Sequence, residues 1–206
     1  MVPVLEVACI KWGRKYGPEY VNRLMRAVSR YLSIPHRFVC YTDDPAGLLC
    51  EVAALPAGYA GWWNKLFLFS LNRRILLLDL DSVILGPLDA MVTPHFCTIK
   101  DPWQKGYNSS AVMIQPDMQF VWGEFVRLRP DKRLHGDQDW LNEVPGFYEE
   151  LCFPIGVCLS YKAHIKKLPG RTPPADCSMV YFHGIPKPHE VRDPFVLTHW
   201  HEIPGE

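Results

Sequence analysis

The chain has 206 residues, with 22 Lys+Arg against 22 Asp+Glu, so its formal net charge is zero. That length suits a single domain, and 48% hydrophobic with 13% aromatic residues is enough to bury a core, which excludes disorder as the main state. The balanced charge argues against a general nucleic-acid or membrane-surface binder, and apolar runs such as Ile75–Leu78 are far too short to cross a bilayer.

The first forty residues read as strand, helix, strand. Val4–Ile10 is an apolar run of strand length, and Lys11–Gly17 is a polar loop that contains Arg14, Lys15 and Tyr16. Pro18 suits the first turn of a helix in which Tyr20, Val21, Leu24, Ala27, Val28, Tyr31 and Leu32 recur at helical spacing, with Arg23, Arg26 and Arg30 on the other face. Pro35 ends that pattern. Phe38–Tyr41 follows as a second strand, closed by the turn Thr42-Asp43-Asp44-Pro45. A unit of this kind predicts a parallel sheet with a right-handed crossover, and ligands of such sheets gather at the carboxyl ends of the strands. Lys11–Gly17 and Thr42–Pro45 are therefore candidate site loops.

Trp62–Leu71 is predicted as a helix leading into the strongest strand, Ile75–Leu78, which ends at Asp79-Leu80-Asp81. Beyond it come a strand at Val83–Leu85, a short helix near Leu88–Met91, strands near Phe96–Ile99 and at Ala111–Gln115, and an amphipathic helix at Met118–Leu128. A short helix is expected at His135–Asn142. After Pro145 the chain is rich in Pro and Gly, with short strands at Val157–Tyr161 and Met179–His183, and reads as a wrap over the sheet. Seven cysteines are scattered without a C-x-x-C pair, several inside apolar runs, as expected of reduced core thiols. Met1–Glu6 carries neither the basic nor the apolar segment of a secretory signal, so a cytoplasmic protein is expected.

Four aliphatic residues deliver Asp79 and Asp81 to the end of a buried strand. Strand alternation places both on one side, where two like charges are costly unless a cation sits between them. A hard divalent ion, Mn²⁺ or Mg²⁺, answers that need; the competing reading has one Asp capping the following turn. Leu77-Leu78-Asp79-Leu80-Asp81-Ser82-Val83 also resembles the string of haloacid-dehalogenase-type phosphatases, in which Asp79 would be the nucleophile. Here, however, a complete strand–helix–strand unit precedes the motif, and Gly136-Asp137 follows Lys132-Arg133-Leu134-His135 where an apolar strand should stand.

Five strings together resemble glycosyltransferase family 8, the retaining GT-A enzymes that include glycogenin and bacterial galactosyltransferases. They are Asp79-Leu80-Asp81, Trp63-Asn64-Lys65-Leu66, Tyr107-Asn108-Ser109-Ser110-Ala111-Val112, Gly136-Asp137-Gln138-Asp139-Trp140-Leu141-Asn142 and Phe182-His183-Gly184-Ile185-Pro186-Lys187-Pro188. The order matches over roughly residues 4–190. The resemblance implies a single-domain α/β GT-A fold over 1–206, a Rossmann-like mixed sheet flanked by helices. Residues 1–82 would form the nucleotide-binding half, and 83–206 the sugar and acceptor half with the C-terminal wrap. It implies a metal-dependent transfer from a nucleotide sugar, UDP-linked, to an acceptor hydroxyl.

By the same resemblance, Asp79, Asp81 and His183 would hold the metal, and Lys187 with Lys65 would meet the phosphates. Tyr16 would stack on uracil, Asp43 would accept from base or ribose, and Gly184 would line the phosphate loop. Asn108, Asp137 and Gln138 would hold the sugar. With Gln138 in place of a strong nucleophile, front-face attack assisted by the leaving phosphate is favoured. Each residue has a plainer reading: packing for Tyr16, a turn for Asp43, a satisfied strand-end histidine for His183, surface lysines for the two cations. Two departures stand out. Gly184 follows His183 directly, with Lys187 four residues after the histidine, and Leu134-His135 replaces an expected acid. The basic stretch Lys162–Arg171 reads as a solvated loop or as an attractor of an anionic acceptor. The acceptor itself is left open among glycan, protein surface and modified base. A non-catalytic nucleotide-sugar or glycan binder is the alternative outside enzymes.

Overall fold

The computed structural model describes residues 4–144 and 151–201. Its main sheet has six strands. These are β1 (Leu5–Lys11), β2 (His36–Thr42), β3 (Glu51–Ala54), β4 (Ile75–Leu78), β6 (Cys97–Lys100) and β7 (Tyr107–Ile114). They lie in the order β3-β2-β1-β4-β7-β6. The first four run parallel, and β7 pairs antiparallel with both β4 and β6. A second sheet, in the order β5-β9-β8, combines β5 (Ser82–Ile84), β8 (Cys158–Ser160) and β9 (Met179–Tyr181).

The strand–helix–strand unit forms as expected. α1 spans Pro18–Tyr31, has proline in its first turn, and buries Tyr20, Val21, Leu24, Ala27 and Val28. Strand β4 is buried on both faces. Leu76 and Leu78 join a core with α1, β5 and β9; Ile75 and Leu77 join another with Leu66, Phe69, Phe125 and Trp140. An uninterrupted aliphatic run is what a two-sided central strand requires. The second face is covered by the segment Gly61–Leu71, by α2 (Gln119–Leu128) and by α3 (Asp137–Glu143).

Several elements differ from expectation. Gly61–Leu71 is a 3₁₀ helix ended by Asn72 in the left-handed region. Its buried residues pair at a spacing of three, Lys65 with Leu68 and Leu66 with Phe69, which is the 3₁₀ period. β3 has no counterpart in the sequence reading because its residues are mostly exposed at a sheet edge and carry no alternation. β7 begins at Tyr107, four residues before the expected Ala111, and buries Asn108, Ser109 and Ser110 in the strand. The C-terminal region does more than wrap: β8 and β9 build the second sheet on β5. The seven cysteines form no disulfide among the described residues, and five of them are buried.

Asp79 and Asp81 occupy a tight turn rather than continuing β4, with the Ser82 N–H bonded to the Asp79 carbonyl at 3.2 Å. The chain leaves the main sheet there to start β5, so the two carboxylates are related by a turn and not by strand alternation.

Candidate active site

Strand order reverses at β1 and β4, and that reversal opens a crevice at their carboxyl ends. A cavity of about 720 Å³ occupies it. Tyr16, Lys65, Asp79, Asp81, Asn108, Asp137, Gln138, His183, Gly184 and Lys187 all line this cavity, so ten of the eleven residues singled out in the sequence come together. Asp43 is the exception among them: both its carboxylate oxygens accept the Gly13 N–H, at 3.1 and 3.0 Å, which ties the loop after β2 to the loop after β1.

The electrostatic centre is Lys65. Its buried Nζ lies 2.6 Å from Asp79 Oδ1 and 3.5 Å from Asp137 Oδ2, and donates to the Ser109 carbonyl at 3.3 Å. Burial alone would lower the ammonium pKa, but Asp137 and then Asp79 outweigh it and hold the net shift upward. Burial pushes the Asp79 carboxyl up to about 6, with Lys65 opposing and Asp81 adding to the rise. Asp137 is almost fully buried, and its Oδ2, though ion-paired to Lys65, has no hydrogen-bond donor.

A second cluster surrounds Asp81. Its Oδ2 receives the Lys187 ammonium and the Tyr16 hydroxyl, the latter at 2.8 Å. Burial first, and then the charge of Asp81, push the Tyr16 phenol well above its ordinary range, so it stays a donor. The Tyr16 ring packs on Tyr20 with centroids 4.7 Å apart, and Lys15 and Lys187 stand over it at 5.2 and 5.9 Å. Lys187 reaches Asp81 from the loop after β9, so the C-terminal region closes onto the turn after β4.

A third group forms around Gln138: Asn108 Nδ2 donates to Gln138 Oε1 at 3.1 Å, and Gln138 Nε2 donates to Asp101 Oδ2 at 2.9 Å. Asp101 was not anticipated. It ends β6 as Asp79 ends β4, and a carboxylate after an apolar strand was the available signal. His183 meets the Ser160 hydroxyl through Nε2 at 2.7 Å and lies edge-on to Trp103. Burial, then Lys162, lower its pKa. Gly184 has φ +65°, and an added Cβ would come within 2.9 Å of Lys162 Nζ. Only glycine takes that backbone without strain. In the same basic stretch, Lys166 covers the Tyr161 ring and Arg171 pairs with Asp193 at 3.2 Å.

Two carboxylates on one turn, drawing lysines to themselves, present oxygen donors and negative charge that fit a hard divalent cation. Among the described residues no three His, Cys, Asp or Glu side chains gather round a single metal position. His183 shares the cavity wall with the two aspartates rather than their contacts.

Solved structures share this architecture. The chain aligns with the glycosyltransferase GlyE of Streptococcus pneumoniae TIGR4 over 90% of its length, with a TM-score of 0.64 and 11% identity, and spans 56% of that protein. The bifunctional glycosyltransferase WbbM gives a TM-score of 0.68 at 12% identity, over 98% of this chain and 50% of that one. The galactosyltransferase LgtC, crystallised with donor and acceptor sugar analogs, gives 0.58 at 12% identity, over 89% and 88%. The chain thus spans about half the length of GlyE and WbbM. No protein-family model and no curated protein matches it. What the likeness establishes is the fold: a single-domain α/β GT-A architecture, as the sequence led one to expect. Among the described residues no helix is long and apolar enough to cross a membrane.

Proposed function

We propose that this chain is a retaining glycosyltransferase of the family 8 kind, moving a sugar from a UDP-linked donor to an acceptor hydroxyl. The observation that carries the reading is the meeting of Asp79, Asp81 and Asp137 with Lys65 and Lys187 in one cavity at the switch point of a GT-A sheet. Residues 1–82 handle the nucleotide, and 83–206 handle sugar and acceptor. Buried free thiols at Cys9, Cys40, Cys97, Cys158 and Cys177 suit a reducing cytoplasm.

In this reading Asp79 and Asp81 would hold Mn²⁺ or Mg²⁺, with His183 on the same cavity wall as the third candidate ligand, and the ion would supply positive charge to the diphosphate leaving group. Lys187 is placed to neutralise the same group, and Lys65 holds Asp79 and Asp137 in place through its ion pairs. Asp137 Oδ2, which has no hydrogen-bond donor among the described residues, accepts a sugar hydroxyl. Asn108 and Gln138, locked to each other, orient the ring and the anomeric carbon. Gln138 offers no carboxylate nucleophile, so the acceptor oxygen attacks from the face the diphosphate leaves. The carbon–oxygen bond to phosphate breaks, and the departing phosphate oxygen takes the acceptor proton. The dehalogenase-type phosphatase reading has less support, since a complete strand–helix–strand unit precedes Asp79 and the solved structures of like architecture are glycosyltransferases.

Calorimetric titration of UDP with Mn²⁺, followed by a hydrolysis screen over sugar nucleotides, tests the proposal. UDP binding that requires Mn²⁺ and is lost in Asp81→Asn is expected, with slow hydrolysis identifying the sugar. Absence of UDP binding, or binding indifferent to Asp81, would overturn it. Binding without turnover of any sugar nucleotide would favour a non-catalytic binder. Phosphate-ester hydrolysis lost in Asp79→Asn would favour the phosphatase.

A further inference from the structure

Two tryptophans beside the cavity have no role in donor handling. Trp62 is 58% exposed and lines the cavity at the start of the 3₁₀ helix; its neighbour Trp63 instead stacks on Phe125, centroids 5.4 Å apart. Trp103 is 59% exposed and stands with its ring centroid 4.2 Å from that of His183. Large exposed indoles are costly in water and mark contact surfaces when a site lies beside them.

The Trp103 loop is also pre-set. Asp101 Oδ1 accepts the Trp103 and Gln104 N–H groups at 2.8 and 3.0 Å, while Asp101 Oδ2 accepts from Gln138. A continuous chain of hydrogen bonds therefore runs from Asn108 through Gln138 and Asp101 to the backbone of Trp103. An indole held in place before its ligand arrives spares the ligand an ordering cost.

We propose that Trp62 and Trp103 form an acceptor subsite for an uncharged saccharide, each indole stacking on the C–H face of a pyranose ring. This rests on the transferase reading above and adds the acceptor class to it. A pyranose has an apolar face and a polar edge, which matches an indole at Trp62 that shares the cavity wall with Asp139 and His135, and one at Trp103 that stands against His183. Arg14, Lys15 and Lys187 share that wall and Lys162 stands beside Gly184, so the wall carries both signs, and a polyanionic acceptor is the outcome that the DNA arm reads. A peptide would be better served by a continuous apolar groove than by two separate rings.

The test is binding of the full chain, without donor, to an array of printed glycans carrying printed peptides and single-stranded DNA as further arms. Selective glycan binding is expected, weakened about tenfold or more in Trp62→Ala and in Trp103→Ala and largely retained in Trp103→Phe. In the transfer assay, the acceptor KM should rise about as much relative to the donor KM. Binding to no glycan, binding indifferent to both substitutions, or binding to peptide or DNA instead would overturn the subsite. UDP calorimetry on the same preparation reports the donor site separately. Failure of glycan binding with UDP binding intact therefore removes this inference alone, whereas glycan binding without UDP binding removes the transferase reading and with it the acceptor role, and leaves a glycan-binding site.

Discussion

Replacing Lys65 with Met withdraws the cation that Asp79 and Asp137 share. Removing one partner of a buried ion pair costs about 3–5 kcal/mol, because the remaining charge loses its compensation without regaining water. Asp137 keeps 5% of its side chain exposed and Asp79 23%, so water recovers part of the second charge. That places the loss near the lower bound, about 3 kcal/mol. Unfolding entropy of about 2.1 cal/mol/K per residue amounts to about 0.4 kcal/mol/K for this chain, so the melting midpoint should fall by about 7 °C. Thermal unfolding followed by circular dichroism at about pH 8, where Asp79 is ionised, measures it. Adding Asp137→Asn to Lys65→Met should recover part of the loss, since one uncompensated charge disappears. Saturating Mn²⁺ should do the same by returning a cation to Asp79. A midpoint within about 1 °C of wild type would show that water already solvates both carboxylates, and would refute the reasoning.

Two further effects follow from local geometry. Gly184→Ala forces a side chain into the left-handed region and against Lys162, and should cost about 1–2 kcal/mol in denaturant unfolding while weakening UDP affinity. His164 accepts the Ser160 N–H through Nδ1 at 3.0 Å, and burial, then Lys167, lower its pKa below the ordinary 6.5. The unfolded chain therefore binds more protons, so stability is complete above about pH 6.5 and is lost as pH falls. His199, lowered by burial and by Arg30, acts in the same direction. A plot of melting midpoint between about pH 7 and 5 should flatten in His164→Asn, and an unchanged slope would contradict the assignment.

The parts of the fold legible in the sequence are those where burial dictates composition. β4 could be read because a strand covered on both faces admits only aliphatics, and α1 because one face packs and Pro18 starts it. The first half of β7 was hidden for the opposite reason. Asn108, Ser109 and Ser110 are polar residues inside a fully buried strand, placed there by the site and against strand patterning. β3 escaped notice because an exposed edge strand needs no pattern at all. In the site, residue types were legible and partnerships were not. Lys65 was anticipated as a phosphate contact, and its pairing with Asp79 and Asp137 depends on tertiary approach between segments 14 and 72 residues away in the chain. Trp62 and Trp103 resembled any other aromatic until their exposure was known.

The same partnerships explain how a chain of zero net charge can serve a charged donor. The inner cluster holds three carboxylates, Asp79, Asp81 and Asp137, against two ammonium groups, Lys65 and Lys187. It is therefore short of one positive charge, consistent with Asp137 Oδ2 having no hydrogen-bond donor. On the proposed function, a diphosphate diester arriving alone would add two negative charges to that deficit. Arriving with a divalent cation, it adds none. Asp79 and Asp81, which pair with Lys65 and Lys187, would then hold the metal, and Lys187 would be placed to meet phosphate oxygens. Each charge keeps a partner throughout, which is what a low-dielectric site demands. Donor selection on this view lies in the matched arrival of cation and diphosphate rather than in any surplus charge on the protein.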